Sequence, residues 1–193
     1  MTLNDCSTML SLLETRRSGK PREMIAPGPN EVELAHILTI AARTPDHGKL
    51  FPWRFVTIAT DQRDALADLL IKALPECDPD FGPAHVAKAQ EFAHQAPTLV
   101  VLVAAPVVDH KIPQWEQQLS VGAAGMNLLL AAHAVGFVAS WITGWAAYSE
   151  RVTAAFCAPG ERVAGFMFIG SPGLPLEERV RPELDEIVRR WTP

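Results

Sequence analysis

The chain has 193 residues, of which 48% are hydrophobic and 20% charged, and its formal net charge is −5. That is a globular composition, long enough for one domain over residues 1–193 with a substantial core, and it argues against a general nucleic-acid or anionic-membrane surface. The three cysteines (Cys6, Cys77, Cys157) are far apart and make no metal or redox spacing, and no basic-then-apolar leader opens the chain, so a reduced cytoplasmic protein is the simplest expectation.

Leu3 to Thr15 reads as a short amphipathic helix with Met9, Leu10, Leu12 and Leu13 on its apolar side and Asp5 or Ser7 as cap. It runs into Arg16-Arg17-Ser18-Gly19-Lys20. Three cations and a hydroxyl at a helix exit suit an anion. A solvated basic turn that complements the helix dipole explains them equally well.

Asn30 starts a second helix, with Glu33 as its capping-box partner and Val32, Leu34, Ile37, Leu38 and Ala41 as the buried side. It ends before Pro45. The stretch Arg43-Thr44-Pro45-Asp46-His47-Gly48-Lys49-Leu50-Phe51-Pro52-Trp53 is held non-helical by two prolines and a glycine. Arg54 to Thr60 follows as a strand, and a loop of such chemistry opening into a strand is where sites lie. For His47 taken alone, a hydrogen bond within its own turn is the simpler expectation.

Asp61 caps a helix to about Leu74, Pro75 to Pro83 reads as irregular, and Ala84 to Ala93 as helical. Thr98 to Ala105 is an unbroken apolar run of strand length, expected to be buried on both faces. Trp115 to Val135 lies between Pro113 and Gly136, which mark a helix start and stop. Its single charge, Glu116, sits in the first turn, so the helix is expected to be buried all round, with a second copy of itself as one candidate cover. Gln117, Gln118, Ser120, Asn127 and His133 argue against a membrane span.

Phe137 to Trp141 reads as a strand, with Ile142-Thr143-Gly144-Trp145 at its end. Ser149 caps a helix to about Ala158, and Val163 to Ile169 is a further strand. The tail holds Arg179-Val180-Arg181, then Leu184, Ile187, Val188 and Trp191 on a short helix or arm that needs a surface to bury against. This order predicts an α+β or α/β sandwich with few strands. Neither common nucleotide fingerprint, nor a Gly-x-Ser-x-Gly elbow, nor His-Glu-x-x-His occurs, and six scattered histidines give metal catalysis little support.

Four of these stretches, taken in order, resemble the FMN-dependent nitroreductase family: the Arg16–Lys20 turn, the Pro45–Trp53 loop, the small-residue central helix and Arg179-x-Arg181. The Ala42–Gly48 loop and the short length look most like its small bacterial YdjA-like branch. The resemblance implies a nitroreductase-like α+β fold with a central, mainly antiparallel sheet flanked by helices and a long buried central helix. It also implies a homodimer that exchanges its C-terminal arm and binds FMN at the interface. Arg16, Ser18, Arg179 and Arg181 would hold the phosphate, with Arg17 adjacent in the cofactor site, as guanidinium forks suit a dianion. Lys20 would lie at the pyrimidine edge, Asp46 and His47 along the ring and ribityl chain, and Trp141, Ile142 and Thr143 over the flavin. Phe51 stands where relatives carry Gln, and Ile142 where they can carry Arg, so both are weaker cofactor residues.

The implied activity is hydride transfer from NAD(P)H through flavin N5 to a nitroaromatic or quinone by a ping-pong mechanism, with no protein nucleophile and no named catalytic acid. The implied partners are a second copy of the chain and a small-molecule acceptor. Reductive dehalogenation, ring oxidation and a non-catalytic FMN-binding dimer stand as alternatives.

Overall fold

The computed structural model describes residues 2–193. Strand β3 (Thr98–Ala104) divides it into two cores, because successive side chains point to opposite faces. Leu99, Val101 and Val103 face one core; Val100, Leu102 and Ala104 face the other, and all six are buried. β3 pairs antiparallel with β2 (Trp53–Ile58) on one side and with β5 (Arg162–Pro172) on the other. β4 (Val138–Ile142) and the two-residue β1 (Met24–Ile25) also pair antiparallel with β5. β5 alternates in the same way, with Phe166 and Phe168 to the first core and Met167 and Ile169 to the second.

Helices cover both faces. α3 (Arg63–Cys77), α4 (Pro83–His94) and α6 (Glu150–Phe156) close the first core. There Phe92 meets Phe166 and Phe168 edge-on, with ring centroids 5.2 Å apart in each case. α2 (Glu31–Ala41) and α5 (Gln114–Ala134) close the second, where Val121, Ala124, Leu128, Leu129 and Ala132 lie against the sheet. Burying a leucine there stabilises the fold by about 1.5–3 kcal/mol. Among the described residues no helix is long and apolar enough to cross a membrane.

The Asn30 capping box forms as expected. Glu33 N donates to Asn30 Oδ1 at 3.0 Å, and Asn30 N to Glu33 Oε2 at 2.9 Å. Several expectations need correction. The first helix, α1, is only Met9–Thr15, and Thr8 rather than Asp5 or Ser7 caps it, accepting from Ser11 N at 3.0 Å. Of its four apolar residues only Leu12 is buried. Val32 of α2 is exposed. Asp61 lies in a 3-10 turn (Thr60–Gln62) closed by Gln62, and α3 runs through Pro75 to Cys77, Pro75 giving up one backbone hydrogen bond of the last turn.

The central helix α5 is not enclosed within one chain. One side packs on the sheet, while Leu119 is 54% exposed and Gly122, Ala123, Met126 and Leu130 are only partly buried. Those five recur at helical spacing and form one apolar stripe open to solvent. The tail, with its short helix α7 (Leu184–Ile187), also leaves Leu184, Ile187, Val188 and Trp191 exposed.

Candidate functional site

The basic turn and the tail arginines come together. Leaving α1, the chain is fixed by Asn4, whose Oδ1 accepts from Arg17 N at 2.7 Å and whose Nδ2 donates to Arg17 O at 3.0 Å. Arg16 Nη1 reaches Ser18 Oγ at 3.5 Å. From the tail, Arg181 Nη2 donates to Arg16 O at 3.4 Å, and Arg17 Nε donates to Glu177 O at 2.6 Å. Burial first, and then the charges of Arg181, Arg17 and Arg179, hold Arg16 below the usual arginine range. Lys20 is paired with Glu23 at 3.2 Å and Glu177 at 3.3 Å, which raise its pKa. Arg181 is paired with Glu178 at 3.1 Å. Four guanidiniums and an ammonium therefore face three carboxylates, and Arg16 among them is partly buried, in no ion pair among the described residues and beside a hydroxyl. An incoming dianion would relieve that repulsion, so the donor set fits a phosphate.

This cradle sits at the C-terminal end of α5. Arg16 is close enough to lower the pKa of His133, and Gly19 packs on Val138 at the start of β4. The loop between α2 and β2 sits at the other end. Ser120 Oγ donates to Pro45 O at 3.0 Å, and His47 Nδ1 lies 2.8 Å from Glu116 Oε2, so His47 bonds to α5 rather than within its own turn. Asp46 Oδ2 accepts from Phe51 N at 2.7 Å and holds exposed Phe51 at φ 50°, a left-handed conformation that disfavours an aromatic residue. The second oxygen, Asp46 Oδ1, is buried with no partner among the described residues. A donor such as a ribityl hydroxyl would satisfy it.

The third group lies at the end of β4. Trp141 points to the α5 side, its ring seated on Gly125, and Nε1 donates to Ala164 O at 3.0 Å. Thr143 lines the same cavity, of about 410 Å³, with Gln118, Gly122, Tyr148 and Arg162. Ile142 does not join them, because the next residue on a strand faces the opposite side, and it packs in the α3 and α4 core.

The order of these parts along α5 matters. Glu116 and His133 are 17 positions apart on one continuous helix, roughly 25 Å at about 1.5 Å per residue. One chain therefore carries the phosphate cradle and the loop at separate places. Sequence reasoning missed Asn127, whose Nδ2 donates to Thr44 Oγ1 at 2.9 Å, and the cavity residues Gln118, Tyr148 and Arg162. The polar positions interrupting an otherwise apolar helix were the available signal for Asn127 and Gln118.

An open antiparallel sheet between two helical layers, with an arginine-rich anion cradle and an aromatic-lined cavity, is the frame of a small α+β oxidoreductase. The nitroreductase family model matches residues 15–171, and the chain belongs to that family. It is 39% identical over 173 residues to a Haemophilus influenzae protein named, provisionally, an NAD(P)H nitroreductase, which covers 88% of this chain and 91% of the relative. It is 33% identical over 166 residues to Escherichia coli YdjA, with 86% and 88% covered, in keeping with the YdjA-like branch. Among solved structures, a Bacteroides fragilis nitroreductase with bound FMN superposes with a TM-score of 0.69 at 20% identity, over 95% of this chain and 98% of that one.

Proposed function

We propose that two copies of this chain form an FMN-dependent oxidoreductase that moves two electrons from NAD(P)H to an electron-poor acceptor, a nitroaromatic or a quinone. The observation carrying this reading is the separation of the two half-sites along α5, joined by an exposed apolar stripe. Pairing two α5 helices head to tail through Leu119, Gly122, Ala123, Met126 and Leu130 would set the loop of one chain beside the cradle of the other. The exposed tail would then find its surface on the partner. Gly122 and Ala123 would let the helices approach closely.

Arg16, Ser18, Arg179 and Arg181 would hold the cofactor phosphate, with Arg17 fixing the turn through Glu177. Lys20 would lie toward the pyrimidine edge, where a cation favours the electron-rich form. Trp141 and Thr143 would flank the ring. Asp46, His47 and Phe51 of the partner would close over the ribityl chain, with Asp46 Oδ1 accepting from a hydroxyl. Bound FMN would supply the two-electron chemistry, taking a hydride from the nicotinamide and returning the pair to the acceptor. The balance for a nitro group is one NAD(P)H and one proton consumed, one N–O bond broken, and NAD(P)⁺, a nitroso group and water formed. No side chain need act as a nucleophile.

The test is an absorption spectrum of protein desalted after incubation with FMN, followed by anaerobic NADH and NADPH, with the mass measured by light scattering. A dimer retaining flavin that bleaches is expected. A monomer with no retained flavin would overturn the reading, and retained flavin that stays oxidised would point to a non-catalytic binding protein.

A further inference from the structure

β3 and β5 stay in step up to Leu102 opposite Gly165, and beyond it the register shifts, with Val103 opposite Val163 and Ala104 opposite Arg162. Ala164 is the extra residue of a β-bulge. Residues directly opposite each other on an antiparallel pair share a face. Ala104 belongs to the α5 side, so the bulge gives Arg162 that side as well and sends Val163 into the α3 and α4 core, where it packs. Without the extra residue the two would exchange places.

Trp141 maintains this arrangement, since its indole N–H bonds to the bulged Ala164 carbonyl. A Cβ on Gly165 would run into the same indole. Among the residues lining the 410 Å³ cavity, Arg162 alone carries a charge at neutral pH. None of the ion pairs among the described residues includes it. The remaining walls include Trp141 and Tyr148 on the aromatic side and Gln118 and Thr143 on the polar side. Such a volume is ordinary for a small organic ligand.

We infer that Arg162 makes this cavity a subsite for the anionic end of an aromatic acceptor, one bearing a carboxylate on its electron-poor ring. The inference rests on the proposed function, in which electrons leave beside Trp141 and Thr143. A guanidinium fork takes a carboxylate in two parallel hydrogen bonds, and the two aromatic side chains provide apolar surface for a ring.

The test compares the FMN-loaded protein with its Arg162→Gln and Arg162→Lys variants, using 4-nitrobenzoate and the neutral 4-nitrobenzyl alcohol. The readout is the ratio of kcat/KM for the acid to that for the alcohol, backed by calorimetric affinities for both in the absence of NAD(P)H. In Arg162→Gln the ratio should fall about tenfold or more, the size of one lost charged contact, with Arg162→Lys recovering part of it. An unchanged ratio with unchanged affinities would overturn the assignment. So would a loss seen only for NADPH relative to NADH, which would give the cation to the donor's phosphate. If the unaltered protein reduces neither acceptor, the proposed function fails and calorimetry alone decides. Weaker binding of 4-nitrobenzoate to Arg162→Gln keeps the subsite, and equal binding removes it.

Discussion

Asn127 donates through Nδ2 to Thr44 Oγ1 at 2.9 Å, and Thr44 donates in turn to the carbonyl of Ala41, also at 2.9 Å. The site loop is thereby tied near its start, at Thr44, to the last turn of α2 and to the middle of α5. Ser120 ties the next residue, Pro45, to α5 as well. Prolines stiffen the loop, and these bonds fix where the stiff piece points. Asn127→Ala should cost about 1–2 kcal/mol in urea unfolding, because Thr44 is buried and loses the side-chain donor that Asn127 provides. Ser120→Ala should cost less than half of that, since its bond is solvent-accessible. Equal effects would mean that the loop does not depend on the buried tie.

A second prediction concerns the cradle. Replacing Arg16 and Ser18 together by alanine removes the partly buried guanidinium and the hydroxyl beside it. FMN affinity should fall on the order of a hundredfold, read by fluorescence titration, and should become less sensitive to salt as a phosphate contact is lost. Affinity unchanged from the parent protein would take the phosphate out of this cradle.

Much of this arrangement was legible in the residues. The Asn30 capping box, the two-sided apolar run of β3 and the Pro113–Gly136 brackets of α5 follow from local chemistry, which the fold respects. The gathering of Arg16 with Arg179 and Arg181 was legible only through resemblance, since nothing local joins positions more than 160 residues apart. The bulge at Ala164 was not legible, because it is a relation between two strands that neither states alone. α1 misled for a physical reason. Met9, Leu10 and Leu13 are apolar but exposed in the single chain, and an amphipathic pattern says that a face will be covered without saying by which chain.

Third, Gly125 is where α5 admits the Trp141 ring. A Cβ there would lie 2.6 Å from Trp141 Cζ3, 2.8 Å from Cη2 and 2.9 Å from Leu102 Cδ2. Gly125→Ala gains helix propensity of about 1 kcal/mol but must displace the partly buried, packed Trp141 ring, so a net loss of about 1–2 kcal/mol is expected. The indole would be pushed from Ala164 O, and the near-ultraviolet circular dichroism of the tryptophans should change while the far-ultraviolet spectrum does not. A more stable protein with an unaltered near-ultraviolet spectrum would show that the ring has room to spare.

Fourth, His133 should make stability depend on pH in a window of its own. It is buried at the end of α5, and its Nδ1 lies 3.1 Å from the carbonyl of Phe137, so Nδ1 carries the proton and donates. Nε2 is buried without a partner among the described residues. Burial first, and then nearby Arg16, lower its pKa from 6.5 to about 4, against the opposing effect of the Phe137 bond. The folded state therefore keeps the ring neutral where the unfolded chain would protonate it. The unfolded state binds more protons below pH 6.5, so stability is full above that value and declines as pH falls toward 4. At pH 5 the loss is roughly 2 kcal/mol. Asp5, Glu76 and Glu178 are held below their ordinary values and also weaken the fold on acidification, but only as their unfolded forms begin to protonate, near 4.5 and lower. Urea unfolding at pH 7.5 and 5.5 thus isolates the histidine. The difference between those two pH values should be present in the parent protein and largely absent in His133→Gln, and a difference that survives in the variant would place the titrating group elsewhere.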